Sequence, residues 1–324
     1  MTRPRKELVS IDTTPYYHIV SRCVRRTFLC GYDASTGNCY EHRRQWIEDR
    51  IRLLSSLFAV DICAYAVLSN HYHLVVKLNP SQAEHWSETD VLQRWQCLYK
   101  GPLLVQRFAS GQALSQAEWL TVSETLEVYR KRLSDLSWFM KCLNEPIARQ
   151  ANQEDGCTGH FWESRYKSQA LFTEEALISA MAYVDLNPIR ANMADTPETS
   201  NHTSIKERIQ PCVDTSETIK QVMDQDALNC LAIPLKPLLR FEGTITHEQQ
   251  TGIPFGFADY LALVDWTGRA IRADKRGFIP HQLSPILTRL RVGADMWLDN
   301  ATQFEARYRQ QFQRRRSKVI CDTG

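Results

Sequence analysis

Residues 61–78 read DICAYAVLSNHYHLVVKL. Two short runs rich in apolar and β-branched residues, 61–68 and 71–78, meet at the turn-forming pair Ser69-Asn70, and Asn79-Pro80 ends the second run. Side chains alternate across a strand, so Tyr72, Leu74, Val76 and Leu78 form a core face, while His71, His73, Val75 and Lys77 share the other. Upstream, the stretch Trp46 to Phe58 carries Ile47, Ile51, Leu54 and Phe58 on one helical stripe. Before it, Tyr16 to Cys23 alternates as a strand, with Tyr16, His18, Val20 and Arg22 on one side and Tyr17, Ile19, Ser21 and Cys23 on the other. The chain therefore opens as β-α-β-β.

Residues 81–155 change character and become polar with helical periodicity, as in Leu136, Met140, Leu143 and Ile147. They read as a helical insertion. The segment 160–172 (HFWESRYKSQALF) is short, aromatic and mixed. Thr173 then caps a helix that opens with Glu174-Glu175 and stops at Asn187-Pro188. A Thr/Ser/Asn/Pro-rich linker, 195–204, leads into a mostly helical remainder, with no internal repeat.

The net charge of +2 hides clusters of basic residues at 3–6, 22–26, 269–276 and 307–318. Such patches fit a phosphate-rich partner, although a run such as Arg314 to Arg316 equally forms a solvated helix face. A hydrophobic fraction of 43% and a charged fraction of 23% are those of an ordinary soluble protein. There is no apolar run of about 18 residues to cross a membrane. No apolar stretch follows the basic opening as a secretory signal requires, so the expectation is cytoplasmic. Ten scattered cysteines without a Cys-x-x-Cys pair suggest free thiols rather than a zinc or disulfide framework.

His71 and His73 present two imidazoles side by side, which suits two ligands of one divalent metal, although His-x-His also arises by chance on a half-exposed strand. On the later helix Leu177, Met181 and Val184 form the apolar stripe. Ala176, Ala180, Tyr183 and Asn187 follow the neighbouring one, so Tyr183 is either a reactive phenol or an aromatic at the core edge.

The segments YYHIVSRC (16–23), YAVLSNHYHLVV (65–76), GHFWESRYKSQAL (159–171) and AYVDLNPIRANM (182–193) come in the order and approximate spacing of the HUH single-tyrosine transposases of bacterial insertion sequences. The chain most closely resembles their chromosomal branch, the REP-associated tyrosine transposases, over roughly residues 10–195. The resemblance implies an α+β fold: an RRM-like antiparallel sheet of about four or five strands with helices on one face. It implies a transposase-type domain over 1–195 with the insertion at about 81–155, and a C-terminal extension over 205–324.

For function, the resemblance implies Mg²⁺ or Mn²⁺ held by His71 and His73, with Asn187 where the family often has Gln. Tyr183 would attack DNA to leave a 5′-phosphotyrosine and a free 3′-OH. A phenol with a pKa near 10 needs the metal's help at the phosphate, and the covalent link keeps the energy for rejoining without ATP. The partner would be single-stranded DNA with a palindromic hairpin. Arg22, Arg25, Arg26, Arg165 and Lys167 would meet the backbone, and Trp162, Phe161 or Tyr166 would stack on a base. In the extension, Arg269 and Lys275 are candidates for contact with the hairpin. The enzyme would act as a monomer or homodimer at the nucleoid. Two rivals stand beside this reading: a domesticated relative that holds hairpins without cutting, and a barrel-type zinc hydrolase, which would need further His and Asp ligands at later strand ends.

Overall fold

A computed structural model describes residues 10–11, 13–24, 29–33, 37–210, 233–242, 252–270 and 276–289. Strand β1 (Tyr16–Arg22), helix α1 (His42–Leu57), strands β2 (Val60–Val67) and β3 (His71–Leu78), then β4 (Lys167–Ala170) and helix α7 (Glu174–Asp185) make the frame. Between β3 and β4 lie α2 (Pro80–Glu84), α3 (Glu88–Gln96), α4 (Leu103–Ala109), α5 (Gln116–Leu133) and α6 (Leu136–Glu154). The strands form one four-stranded sheet in the order β2-β3-β1-β4, with antiparallel pairing throughout. With α6 standing between β3 and β4 this is the split β-α-β arrangement, an α+β fold.

The turn at Ser69-Asn70 closes with the Leu68 amide donating to the His71 carbonyl at 2.9 Å. β2 would expose an unpaired edge, but residues 202–204 cover it. The Val67 amide donates to the His202 carbonyl at 3.1 Å, and the Tyr65 amide donates to Ser204 Oγ at 3.0 Å. The pairing register slips between Ile62 and Ala64, and Arg208 donates to the Cys63 carbonyl at 2.8 Å there.

Tyr17, Ile19, Tyr72, Leu74 and Val76 are buried in one core with Ile47, Ile51 and Leu54 of α1 and Phe139 and Leu143 of α6. Phe58, at the end of α1, meets Phe139 edge to face at 5.5 Å. Asn144 of α6 ties this core to the sheet. Its Oδ1 accepts from the Tyr72 hydroxyl at 2.6 Å, its Nδ2 donates to Ser21 Oγ at 3.1 Å, and its carbonyl accepts from Trp162 Nε1 at 2.9 Å. Asn144→Leu would leave the buried Tyr72 hydroxyl without its acceptor. A loss of about 1–3 kcal/mol is expected, read from the urea midpoint at constant slope. An unchanged midpoint would show that the Tyr72 hydroxyl finds another partner.

The insertion has its own aromatic centre, with Trp95 stacked on Tyr129 at 4.1 Å, and capping boxes at Ser87 and Ser115 start α3 and α5. Cys23, Cys30, Cys39, Cys63, Cys142 and Cys157 are free thiols as the spacing suggests, whereas Cys97 is disulfide-bonded. Among the described residues no helix is long and apolar enough to cross a membrane.

The chain forms two compact units, 1–184 with 201–238, and 185–200 with 239–324. In the second, the helix Phe257–Arg269 buries Tyr260, whose hydroxyl donates to Asp185 Oδ2 at 2.5 Å. Arg190 donates to the carbonyls of Thr267 and Ala270, and Arg289 pairs with Glu198 at 2.7 Å. The regular elements described in this region are helices, joined by irregular segments.

Candidate functional site

The register of β1 on β3 fixes which side chains share the face away from the core. Arg22 lies opposite His71, Val20 opposite His73, and His18 opposite Val75. β4 adds Lys167 opposite Val20 and Gln169 opposite His18. Directly paired residues point the same way, so His18, His71, His73, Arg22 and Lys167 stand on one face.

Three imidazoles touch there. The rings of His71 and His73 are 4.8 Å apart, edge to face, while His18 lies nearly parallel to His73 with centroids 5.2 Å apart. His18 Nε2 and His73 Nδ1 are 3.0 Å apart, and His71 Nδ1 is hydrogen-bonded to Asn70 Oδ1. A carbonyl oxygen only accepts, so His71 carries its proton on Nδ1 and leaves Nε2 as a lone pair. His73 Nε2 is buried and has no hydrogen-bond partner.

Burial, reinforced by the charge of Arg22, lowers the pKa of His71 to about 4. Burial, together with His71, His18 and Arg22, lowers that of His73 to about 2. Burial lowers His18 as well. The rings are therefore neutral near pH 7, the state in which imidazole can ligate a metal.

Tyr183 reaches this face from α7. Thr173 Oγ1 accepts from the Ala176 amide at 3.1 Å and sets the start of the helix. Leu177, Met181 and Val184 are buried, which turns Tyr183 out, and it is 46% exposed. Its ring lies 5.6 Å from that of His73 and 6.0 Å from that of His18, edge-on to both. The phenol and the imidazoles thus form a half-open cluster that solvent can enter, with the exposed cations Arg22 and Lys167 on the neighbouring strands β1 and β4.

Of the other expected residues, some pack against the core, some are exposed and some lie outside the described residues. Trp162 forms a bridge with Cys23 on the core side of the sheet, its indole N–H is taken by Asn144, and it packs on Tyr72 at 5.7 Å. Phe161 and Tyr166 are buried in the core. Arg165 is exposed in the segment before β4. Arg25 and Arg26 lie outside the described residues, as does Lys275. Arg269 is engaged with Asp265 and with the carbonyls of Pro280, Leu283 and Ser284. Asn187 belongs to the second unit, where the helical path breaks at Leu186 and resumes as the short helix Asn187–Arg190 with Pro188 near its start. Its Nδ2 is buried without a hydrogen-bond partner.

His18 is the member of the cluster that the sequence did not single out. Its alternation with Arg22 puts it on the polar side of β1, but only the register brings it beside His73.

Among the described residues, no group of three or more His, Cys, Asp or Glu side chains is arranged to hold a metal ion. The donors this face would offer a cation are the Nε2 atoms of His71 and His73, and any further positions would fall to water, an amide or substrate oxygens.

No family model matches the chain, and no curated protein matches it. Among solved structures, a REP-associated tyrosine transposase bound to a REP hairpin is similar, with 10% sequence identity and a TM-score of 0.37, over 64% of this chain and 84% of that one.

Proposed function

We propose that this chain is a metal-assisted, single-tyrosine DNA-nicking and rejoining enzyme that acts on single-stranded DNA beside palindromic hairpins. The observation that carries the reading is the half-exposed Tyr183 ring set 5.6 Å from His73, over a face where the neutral imidazoles of β3 stand beside exposed cations on β1 and β4.

His71 and His73 would hold a divalent cation through their Nε2 lone pairs, and imidazole donors favour Mn²⁺ over Mg²⁺. When bound, the cation supplies Lewis acidity at a phosphate oxygen. Arg22 and Lys167 bind and orient the flanking phosphates. The Tyr183 oxygen attacks the scissile phosphorus, a new O–P bond forms and the bond from phosphorus to the 3′ oxygen breaks. The phenolic proton passes to water and the departing 3′ oxygen takes one up. Reversal by another 3′-OH rejoins the strand. One chain supplies both the imidazoles and the tyrosine, so the reaction needs no helix exchanged between subunits and a monomer suffices. The hairpin substrate follows from the family resemblance of the segments around these residues.

The test is a 3′-labelled pool of single-stranded hairpins with randomised flanks, incubated with Mn²⁺ and run on a denaturing gel. A labelled protein band that disappears with EDTA is expected, since a 5′-phosphotyrosine retains the 3′ portion of the strand. Hairpin binding without any such band would favour the non-cutting relative and remove the enzyme reading.

A further inference from the structure

His18 has no part in the reaction just described, yet it makes the closest polar contact to the imidazole that matters most. His18 Nε2 sits 3.0 Å from His73 Nδ1, and two neutral imidazoles at that distance share one proton between them. Two arrangements are open. If His18 Nε2–H donates, His73 must carry its own proton on Nε2, the atom that is buried without a partner. A ligand position occupied by a proton cannot take a cation, and a buried donor with nothing to meet is costly. If His73 Nδ1–H donates to His18, the buried Nε2 of His73 is a bare lone pair. That is the form His71 already takes, because Asn70 Oδ1 accepts from its Nδ1.

We infer that His18 is a positioning residue: it accepts the Nδ1 proton of His73 and thereby holds both histidines of the HxH pair in the same tautomer, with each Nε2 lone pair presented to a divalent cation. The inference rests on the metal reading of the site and adds to it a residue on a different strand. The rings of His18 and His73 are nearly coplanar, 13° apart, so the hydrogen bond runs in line with both and fixes the ring's orientation as well as its proton. The paired strands hold that geometry, since His18 opposes Val75, two residues on from His73. An outer partner that fixes a ligand's tautomer is worth about 10–100-fold in metal affinity.

The experiment uses the full chain labelled with ¹⁵N-histidine. Long-range ¹H–¹⁵N spectra of the metal-free protein near pH 7 read which nitrogen of His73 bears the proton, and calorimetry with MnCl₂ reads affinity. Wild type is expected to show His73 protonated on Nδ1. In His18→Leu, which fills the space but accepts no proton, that signature should be lost and Mn²⁺ affinity should fall about 10–100-fold. His18→Gln, whose amide oxygen accepts the same hydrogen bond, should restore most of both. A wild-type His73 protonated on Nε2, or a folded His18→Leu that binds Mn²⁺ as wild type does, would overturn the inference. Should His18→Leu fail to fold, the wild-type tautomer and the His18→Gln affinity still decide it. A wild type that shows the expected tautomer but binds no Mn²⁺ would instead defeat the metal reading and leave the His18–His73 hydrogen bond standing.

Discussion

Tyr183→Phe is expected to abolish the covalent protein–DNA adduct and to lower strand cleavage by at least roughly 10⁴-fold, the scale on which removal of a nucleophile acts. The substitution deletes one oxygen and keeps the ring. The ring makes the contacts, edge-on to His18 and His73, and it is 46% exposed, so folding stability should change by less than about 0.5 kcal/mol. Hairpin affinity should also persist, because the phosphate contacts are assigned to Arg22 and Lys167. That combination of bound, folded and inert is the signature of a lost nucleophile. A general loss of structure would lower binding and melting temperature together. If the phenylalanine variant cuts at the wild-type rate, water is the nucleophile, and the site is that of a metal-assisted hydrolase. If it forms the adduct, the attachment point is another residue and the role assigned to α7 is wrong.

How much of this was legible in the sequence depended on the range of the interaction. The hairpin β2-β3 was readable because its strands are adjacent and its turn is two residues long. The alternation of Tyr72, Leu74 and Val76 with His71 and His73 then fixed the faces. Tyr183 was readable as a residue beside the apolar stripe of α7, but its distance to the imidazoles was not, since no local signal relates a helix near residue 180 to a strand near residue 72. His18 shows the same limit: the sequence gives its face on β1, whereas its neighbour depends on a register across fifty-odd residues.

β4 was missed as a strand because KSQA carries no hydrophobic alternation. It is a short edge strand, exposed or half-buried at every position, and its backbone pairing holds it in place. The aromatic run Phe161-Trp162 gave the opposite difficulty. Its composition suits base stacking and core packing equally, and the structure spends it on the core around Tyr72 and Asn144. Buried arginines were equally invisible, because charge predicts exposure until a partner is known.

Arg43 is the sharpest of these, and Arg43→Met is expected to cost about 3 kcal/mol of stability. Its side chain is 1% exposed at the start of α1, with Nε donating to Glu154 Oε2 at 2.6 Å and Nη2 paired with Asp155 Oδ1 at the end of α6. The guanidinium also lies 4.0 Å over the ring of Tyr40. Removing it leaves two carboxylates facing an apolar side chain. Asp155 is nearly buried, whereas Glu154 is about a third exposed and keeps a pairing with His42 at 2.7 Å, so the cost falls at the lower end of the range of about 3–5 kcal/mol for broken buried pairs.

The triad is nonetheless imperfect, since Arg43 Nη1 is buried without a partner. Replacing all three members, Arg43→Met with Glu154→Gln and Asp155→Asn, should therefore recover more than half of the loss, read from urea midpoints in a mutant cycle. A single variant within about 0.5 kcal/mol of wild type would mean that water repairs the site and that the ends of α1 and α6 are held by their apolar contacts alone. Because this clasp belongs to the helices on the core side of the sheet, the triple variant should still form the DNA adduct while folded. The helices that build the scaffold can then be varied independently of the face that carries Tyr183.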